Sequence, residues 1–276
     1  MFGSGRAPAV NDLKTDTNHD LATILAVTFT GANTIGVVRK RDPDDVVYAF
    51  MATVRRLRTQ VQDIDDVVPS LANRRRVLED ALIRLAVTWE VFRSDWFIAC
   101  MNRDSSEMKR AVTKAVEQQL NKGVGPSVGA LKSGWVQVVV PPHPTLEDIA
   151  AGLDPNNYNL SLPKSIRNDG GLLAPQHQAR VQRLSSADDQ LLDALIALRN
   201  TLAHRSISSV DRMNTAIANI DRRVDPGLAT PSGSRRIRLD GVGRYLGAIT
   251  NNGNAVEQAR CLHLHDRVSA IAGKLG

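Results

Sequence analysis

Apolar residues recur every three or four positions over long stretches of this chain, and short runs rich in Pro, Gly, Ser and Asp interrupt them. The clearest stretch carries Leu78, Leu82, Leu85, Trp89, Phe92 and Trp96, which fall on one stripe of an α-helix. It predicts a helix over about 71–102, with Ser70 as its cap. Before it, Asp42-Pro43-Asp44 opens a helix over about 44–62, and its early acidic residues complement the helix dipole. A third helix is expected over about 104–120, stopping before Gly123, Gly125 and Pro126. Leu191, Leu195, Leu198 and Leu202 form the stripe of a helix that starts at Ser186 or Ala187. Ser209 reads as the cap of a helix over about 210–224, and Asn254–Leu275 as the last helix.

The breaks in this pattern set the organisation. Residues 1–20 are polar and small, which predicts a flexible arm. Residues 21–38, with β-branched residues around Gly31 and Gly36, fit either a hairpin or an apolar helix. Between 121 and 175 the helical period is lost: Trp135–Val140 reads as a short strand stopped by Pro141, Pro142 and Pro144, and Thr145-Leu146-Glu147-Asp148 resembles a capped short helix. The fold expected is mainly α, a helical domain over 41–224 with a loop-rich insertion at 121–175 between its two halves. An N-terminal arm precedes it (1–40), and a basic loop with a C-terminal helix follows (225–276).

Composition adds little to the fold but something to the chemistry. Only 4% of residues are aromatic, so the core must rest on Leu, Val, Ile and Ala, which suits helices better than a β-sandwich. The formal charge is +6, carried by 27 Arg and 8 Lys. Such a balance favours an anionic partner, since the Arg fork donates two parallel hydrogen bonds to a phosphate, although a genomic Arg bias gives the same count. Two cysteines make no disulfide framework or multi-cysteine zinc site. The N-terminus carries no apolar signal core and no apolar run is long enough to span a bilayer, so a cytoplasmic protein without membrane contact is expected.

The segment Leu198-Arg199-Asn200-Thr201-Leu202-Ala203-His204 holds the candidate chemistry. RNA is cleaved without a metal when its own 2′-hydroxyl attacks the adjacent phosphate. That reaction needs a proton carrier near neutral pH, the natural role of His204, and a fixed cation for the phosphorane, the natural role of Arg199. Asn200 is the third candidate, able to orient the imidazole or bind a phosphate oxygen. Spacing alone argues against a one-face pair: five positions on an ideal helix put Arg199 and His204 about 140° apart, with roughly 7.5 Å of rise. Asn200 and His204 do share a face. Convergence requires the helix to end near His204, the Arg side chain to wrap round, or a second subunit to supply half the site. Otherwise the pair is a surface Arg and a His placed favourably at a helix C-terminus.

Two motifs carry a resemblance. The Arg199–His204 segment resembles the Arg-x(4–6)-His signature of the HEPN superfamily, in its Arg-Asn-x-x-Ala-His form. About 110 residues upstream, Leu82-Ile83-Arg84-Leu85-Ala86-Val87-Thr88-Trp89-Glu90-Val91-Phe92 is similar to the aliphatic, Trp-Glu-x-aromatic helix of its RiboL-PSP branch, with Phe92 where Tyr is more usual. The likeness spans roughly 71–224. It implies an up-and-down helical bundle that dimerises so that the Arg-x4-His helices share a cleft. It also implies metal-independent endoribonuclease activity leaving a 2′,3′-cyclic phosphate and a 5′-hydroxyl, without a cofactor, in a toxin or an effector of phage defence with an antitoxin or defence-system partner. By that likeness Arg199 and His204 are catalytic, Asn200 is the variable polar position, and Glu90 holds Arg199 or His204. A local Glu90–Arg93 surface pair is the plainer reading of that acid. Arg205, Arg235, Arg236 and Arg238 are candidate RNA contacts, as are Arg74-Arg75-Arg76, although charge runs are commonly solvated faces. The alternative function is a non-catalytic helical module that dimerises and binds a nucleotide, RNA or protein.

Other features point to structure. His263 and His265 lie about 200° apart on a helix and cannot chelate one metal from it. Gly241-Val242-Gly243 lacks the frame of a phosphate loop and reads as a turn. His143 sits among prolines, and Trp89 and Trp96 belong to the core stripe.

Overall fold

The computed structural model describes residues 41–67, 70–111, 113–114, 170–230, 236–251 and 257–276. The expected N-terminal arm, the ambiguous element at 21–38, the strand at 135–140, His143 and almost all of the 121–175 insertion lie outside these residues. In chain order the elements are α1 (Pro43–Val67), α2 (Leu71–Arg103), a 3-10 turn (Gly170–Leu172), α3 (Pro175–Val181), α4 (Ser186–His204), α5 (Ile207–Ala218), a second 3-10 turn (Leu239–Gly241), α6 (Val242–Gly247), β1 (Ile249–Asn251), β2 (Glu257–Ala259) and α7 (Arg260–Gly273). The described residues form a mainly α bundle whose only sheet is the antiparallel β1–β2 hairpin. Among them, no helix is long and apolar enough to cross a membrane.

Helix α2 is the spine, contacted by α1, α4, α6 and α7. The whole predicted stripe of α2 is buried, Trp89 and Trp96 completely. Phe50 of α1 stacks on Phe92 with ring centroids 4.2 Å apart and meets Trp89 edge-on. These aromatics and the Leu-rich faces of α4 and α7 make one continuous core, and each large side chain withdrawn from water contributes about 1.5–3 kcal/mol. Helix α4 is enclosed on more than one side: Leu191, Leu192, Leu195, Leu198 and Leu202 are all buried. Its start is fixed by a capping box, in which Ser185 and Asp188 each accept from the other's backbone N–H.

Several sequence expectations are corrected. Helix α5 starts at Ile207 because Ser206, not Ser209, is its cap; Ser209 is the reciprocal partner of the capping box, and the helix ends at Ala218. The stretch expected as one final helix opens instead with strand β2, which pairs with β1 before α7 begins at Arg260. Ser70 occupies the cap position of α2, but its side chain makes no capping bond. The Gly241–Gly243 turn continues directly into α6. There Gly243 donates its N–H to Glu79 at 2.9 Å, and a Cβ on it would lie 2.7 Å from the Cβ of Arg75. Glycine is required because two helices meet backbone to side-chain root.

Candidate functional site

The motif occupies the last turns of α4, and its setting follows from how that helix ends. Arg205 adopts the left-handed conformation, φ 49°, and its N–H returns to the carbonyl of Thr201. The chain then reverses into α5 within two residues. Thr201, fully buried, ties the hairpin together: its hydroxyl is 2.9 Å from the carbonyl of Ala197 and 2.9 Å from that of Ser209. His204 is therefore the last helical residue, and it stands exposed at the tip of the α4–α5 hairpin, as do Ala203 and Arg205.

Three of the predicted residues come together. Arg199 is half-buried where α4 meets α2, and it donates through Nη2 to Glu90 Oε2 at 3.4 Å and through Nη1 to Asn200 Oδ1 at 2.8 Å. Glu90 thus reaches across the bundle to Arg199. Arg93, the local candidate partner of Glu90, is buried at 2% exposure and is no surface residue. His204 makes no hydrogen bond to this trio within the chain, in keeping with its angular separation from Arg199.

The candidate RNA contacts are scattered by comparison. Arg236 pairs with Asp211 of α5 at 2.7 Å, and its backbone neighbour Ile237 is clasped by Asn214 through two bonds of 2.8 and 2.9 Å. Arg238 lies near Asp240 at 3.7 Å, with both side chains in solvent. Arg235 lies outside the described residues. Arg76 of α2 and Arg244 of α6 are both exposed, and Gly243 seats α6 against Arg75 and Glu79 of α2.

Alongside the motif, α4 and α5 bound a groove of about 420 Å³ lined by Gln190, Asp193, Ala197, Asp211, Arg212 and Thr215, among others. Ala197 and Asp193 lie within about 20° of His204 around α4, and Asn200 within about 40°. The groove therefore runs up the face that ends in Asn200 and His204. The periodicity of α4 already contained this alignment, but only the position of α5 turns the face into a groove.

The second histidine pair serves the core. His263 Nε2 lies 3.3 Å from the buried Asp225, and His265 Nδ1 lies 2.7 Å from the carbonyl of Cys261. Burial holds the His265 imidazole below the ordinary histidine range. Asp225 also receives Arg267, which reaches Asp188, and Asp188 receives Lys274. This ionic cluster joins the start of α4, the turn after α5 and α7. Among the described residues, no group of three or more His, Cys, Asp or Glu side chains is arranged to hold a metal ion. No family model, curated protein or solved structure matches the chain.

Proposed function

We propose that this protein is a metal-independent endoribonuclease of the HEPN type, with Arg199 and His204 as its catalytic pair. The observation that carries this reading is the Glu90–Arg199–Asn200 contact at the end of α4, one turn from an exposed His204. An Arg held on two sides is a preorganised cation, and electrostatic stabilisation is strongest when the charge is fixed before the reaction. His204, in solvent at a hairpin tip, is free to meet a substrate or a second subunit. In the reaction the 2′-oxygen bonds to phosphorus as its proton leaves to a base. The P–O5′ bond breaks, and the departing 5′-oxygen takes up a proton. His204 carries a proton in this exchange, and Arg199 neutralises the phosphorane. The products are a 2′,3′-cyclic phosphate and a 5′-hydroxyl.

Because Arg199 faces α2 and His204 faces outward, the pair is completed by a second copy, whose His204 approaches the Arg199 of the first. Exposed Val87 and Val91, 41% and 55% accessible on the α2 turns beside Glu90, favour such an interface. The biological role that fits is a toxin or defence effector restrained by a partner protein. The test is to incubate purified protein with RNA in excess EDTA. Wild type should release fragments ending in cyclic phosphate, and Arg199→Ala and His204→Ala should each lose at least a hundredfold in rate. Equal cleavage by all three proteins, or none by a folded wild type, would refute the assignment.

The non-catalytic module is favoured by one feature, the engagement of Arg199 with Glu90 rather than with His204. Its signature is RNA or nucleotide binding without cleavage, unchanged by His204→Ala.

A further inference from the structure

Among the described residues, Arg205 alone combines a side chain with a positive φ, at φ 49° and ψ 29°. The left-handed position that closes a helix is ordinarily filled by glycine, and a Cβ there costs the fold stability. Nothing among the described residues offsets that cost, since Arg205 is exposed and its guanidinium makes no hydrogen bond or ion pair with them. The carbonyl end of α4 does favour a positive charge. A lysine or arginine at the exposed helical position of Ala203 would supply it without the strained backbone. The strained turn is also held firmly. The N–H of Arg205 bonds to the carbonyl of Thr201 at 3.0 Å, and Ser206 opens α5 at once with its capping box. A strained residue fixed by its surroundings beside a candidate catalytic group points to a function for its side chain. Arg205 follows directly on His204, their Cα atoms about 3.8 Å apart. Arg199 has two nitrogens engaged by Glu90 and Asn200, whereas the planar fork of Arg205 is open to solvent.

We propose that Arg205 is a substrate-binding residue that grips an RNA phosphate next to the one being cut and so holds the strand against His204. The proposal rests on the ribonuclease reading for its ligand class. An exposed guanidinium takes a phosphate through two parallel hydrogen bonds. Glycine fits this backbone better but offers the phosphate nothing, which accounts for an arginine at the position. The flanking phosphate carries the same charge before and during the reaction. Its contact therefore strengthens substrate binding and leaves the chemical step to Arg199 and His204. Each phosphate so neutralised releases counterions, and the contact shows itself as salt dependence.

The experiment measures binding of the full chain to a 2′-O-methyl oligoribonucleotide, which lacks the attacking hydroxyl and is not cleaved, over a range of salt concentrations. Arg205→Gly should bind at least fivefold more weakly, and its log–log salt slope should be shallower by about 0.7, the value for one single-strand phosphate. It should melt no lower than wild type, so the loss is not one of folding. Arg205→Lys, which keeps the charge, should recover most of the affinity and the slope. Arg223→Ala, which removes an exposed arginine from the turn after α5, should change neither. Unchanged affinity and slope in Arg205→Gly, or an equal loss in Arg223→Ala, overturns the proposal. On cleavable RNA, Arg205→Gly should raise KM at least fivefold and keep kcat within threefold. A fall in kcat alone would put Arg205 on the reacting phosphate and overturn the proposal too. Cleavage by wild type against His204→Ala decides the ribonuclease reading separately. Arg205-dependent binding without cleavage rejects the nuclease alone, and His204-dependent cleavage that Arg205→Gly leaves unchanged rejects the phosphate contact alone.

Discussion

At the scale of single residues, the informative contact is the one between Glu90 and Arg199. Its 3.4 Å separation and partial exposure make it a modest stabiliser, about 0–1 kcal/mol. Its value under the ribonuclease reading is positional. Glu90→Gln should therefore leave the urea midpoint nearly unchanged while lowering the RNA cleavage rate about tenfold. Glu90→Asp, which keeps the charge on a shorter arm, should recover part of that loss. A large stability loss with unchanged specific activity would assign Glu90 to the fold instead. The sequence singled out Arg199, Asn200 and His204 by the chemistry of their side chains, and the structure brings Arg199 and Asn200 into contact at 2.8 Å. The resemblance pointed Glu90 to Arg199 or His204, while helix spacing alone pointed as well to Arg93, since nothing local distinguishes a neighbour three residues away from one across the bundle.

At the scale of elements, the α4–α5 hairpin is what presents His204, and it carries a local strain. Arg205 sits at φ 49° without being glycine, a conformation that costs a side-chain-bearing residue about 1 kcal/mol. Arg205→Gly should raise stability by about 0.5–1 kcal/mol in urea titration. Ser206→Ala should lower it by about 1 kcal/mol, since it removes the capping bond that starts α5. A destabilised Arg205→Gly would mean that the guanidinium makes a contact more valuable than the relief of strain. Helices with strong stripes were readable at their starts, where α1, α2 and α4 begin as their acidic or serine signals indicate, while α1 runs on to Val67, past the expected end near 62. The shift of the α5 cap from Ser209 to Ser206 arose because both serines satisfy the capping pattern, and only the turn geometry after Arg205 selects between them. The β1–β2 hairpin was missed because its strands are three residues long, too short for a period to register. Gly243 was misread as a turn residue because the reason for it, Arg75 of α2, is distant in sequence.

At the scale of the whole molecule, the buried ionic cluster fastens α4 to the C-terminal part of the bundle. Burial pushes the Asp188 carboxyl up, but Lys274 and the Ser185 groups bonded to it outweigh burial and hold it below its ordinary value. Burial likewise opposes, and His263 and Arg267 overcome, the effect at Asp225. Carboxyls with depressed folded values stabilise fully above the unfolded value, 3.8 here. That contribution is lost as the pH falls through the lower folded values. The urea midpoint should accordingly begin to fall below about pH 6.5, where the unfolded chain protonates a histidine that buried His265 keeps neutral, and fall more steeply below about 4. Asp225→Asn should cost about 3 kcal/mol at pH 7, because Arg267 loses its nearest counter-charge, and should flatten the acid limb. The mainly α class was legible from periodicity, and the bundle was what the resemblance implied. This cluster was not legible, because its members come from three separated segments. Arg199 turns inward to α2 and His204 outward, so under the ribonuclease reading a second copy of the chain completes the pair. Arg199→Ala and His204→Ala, each inert alone, should regain RNA cleavage in EDTA when mixed. A mixed dimer rebuilds one intact site from the Arg199 of one protomer and the His204 of its partner. A mixture as inert as its components, beside a wild type that cuts or one that does not, would contradict the shared site.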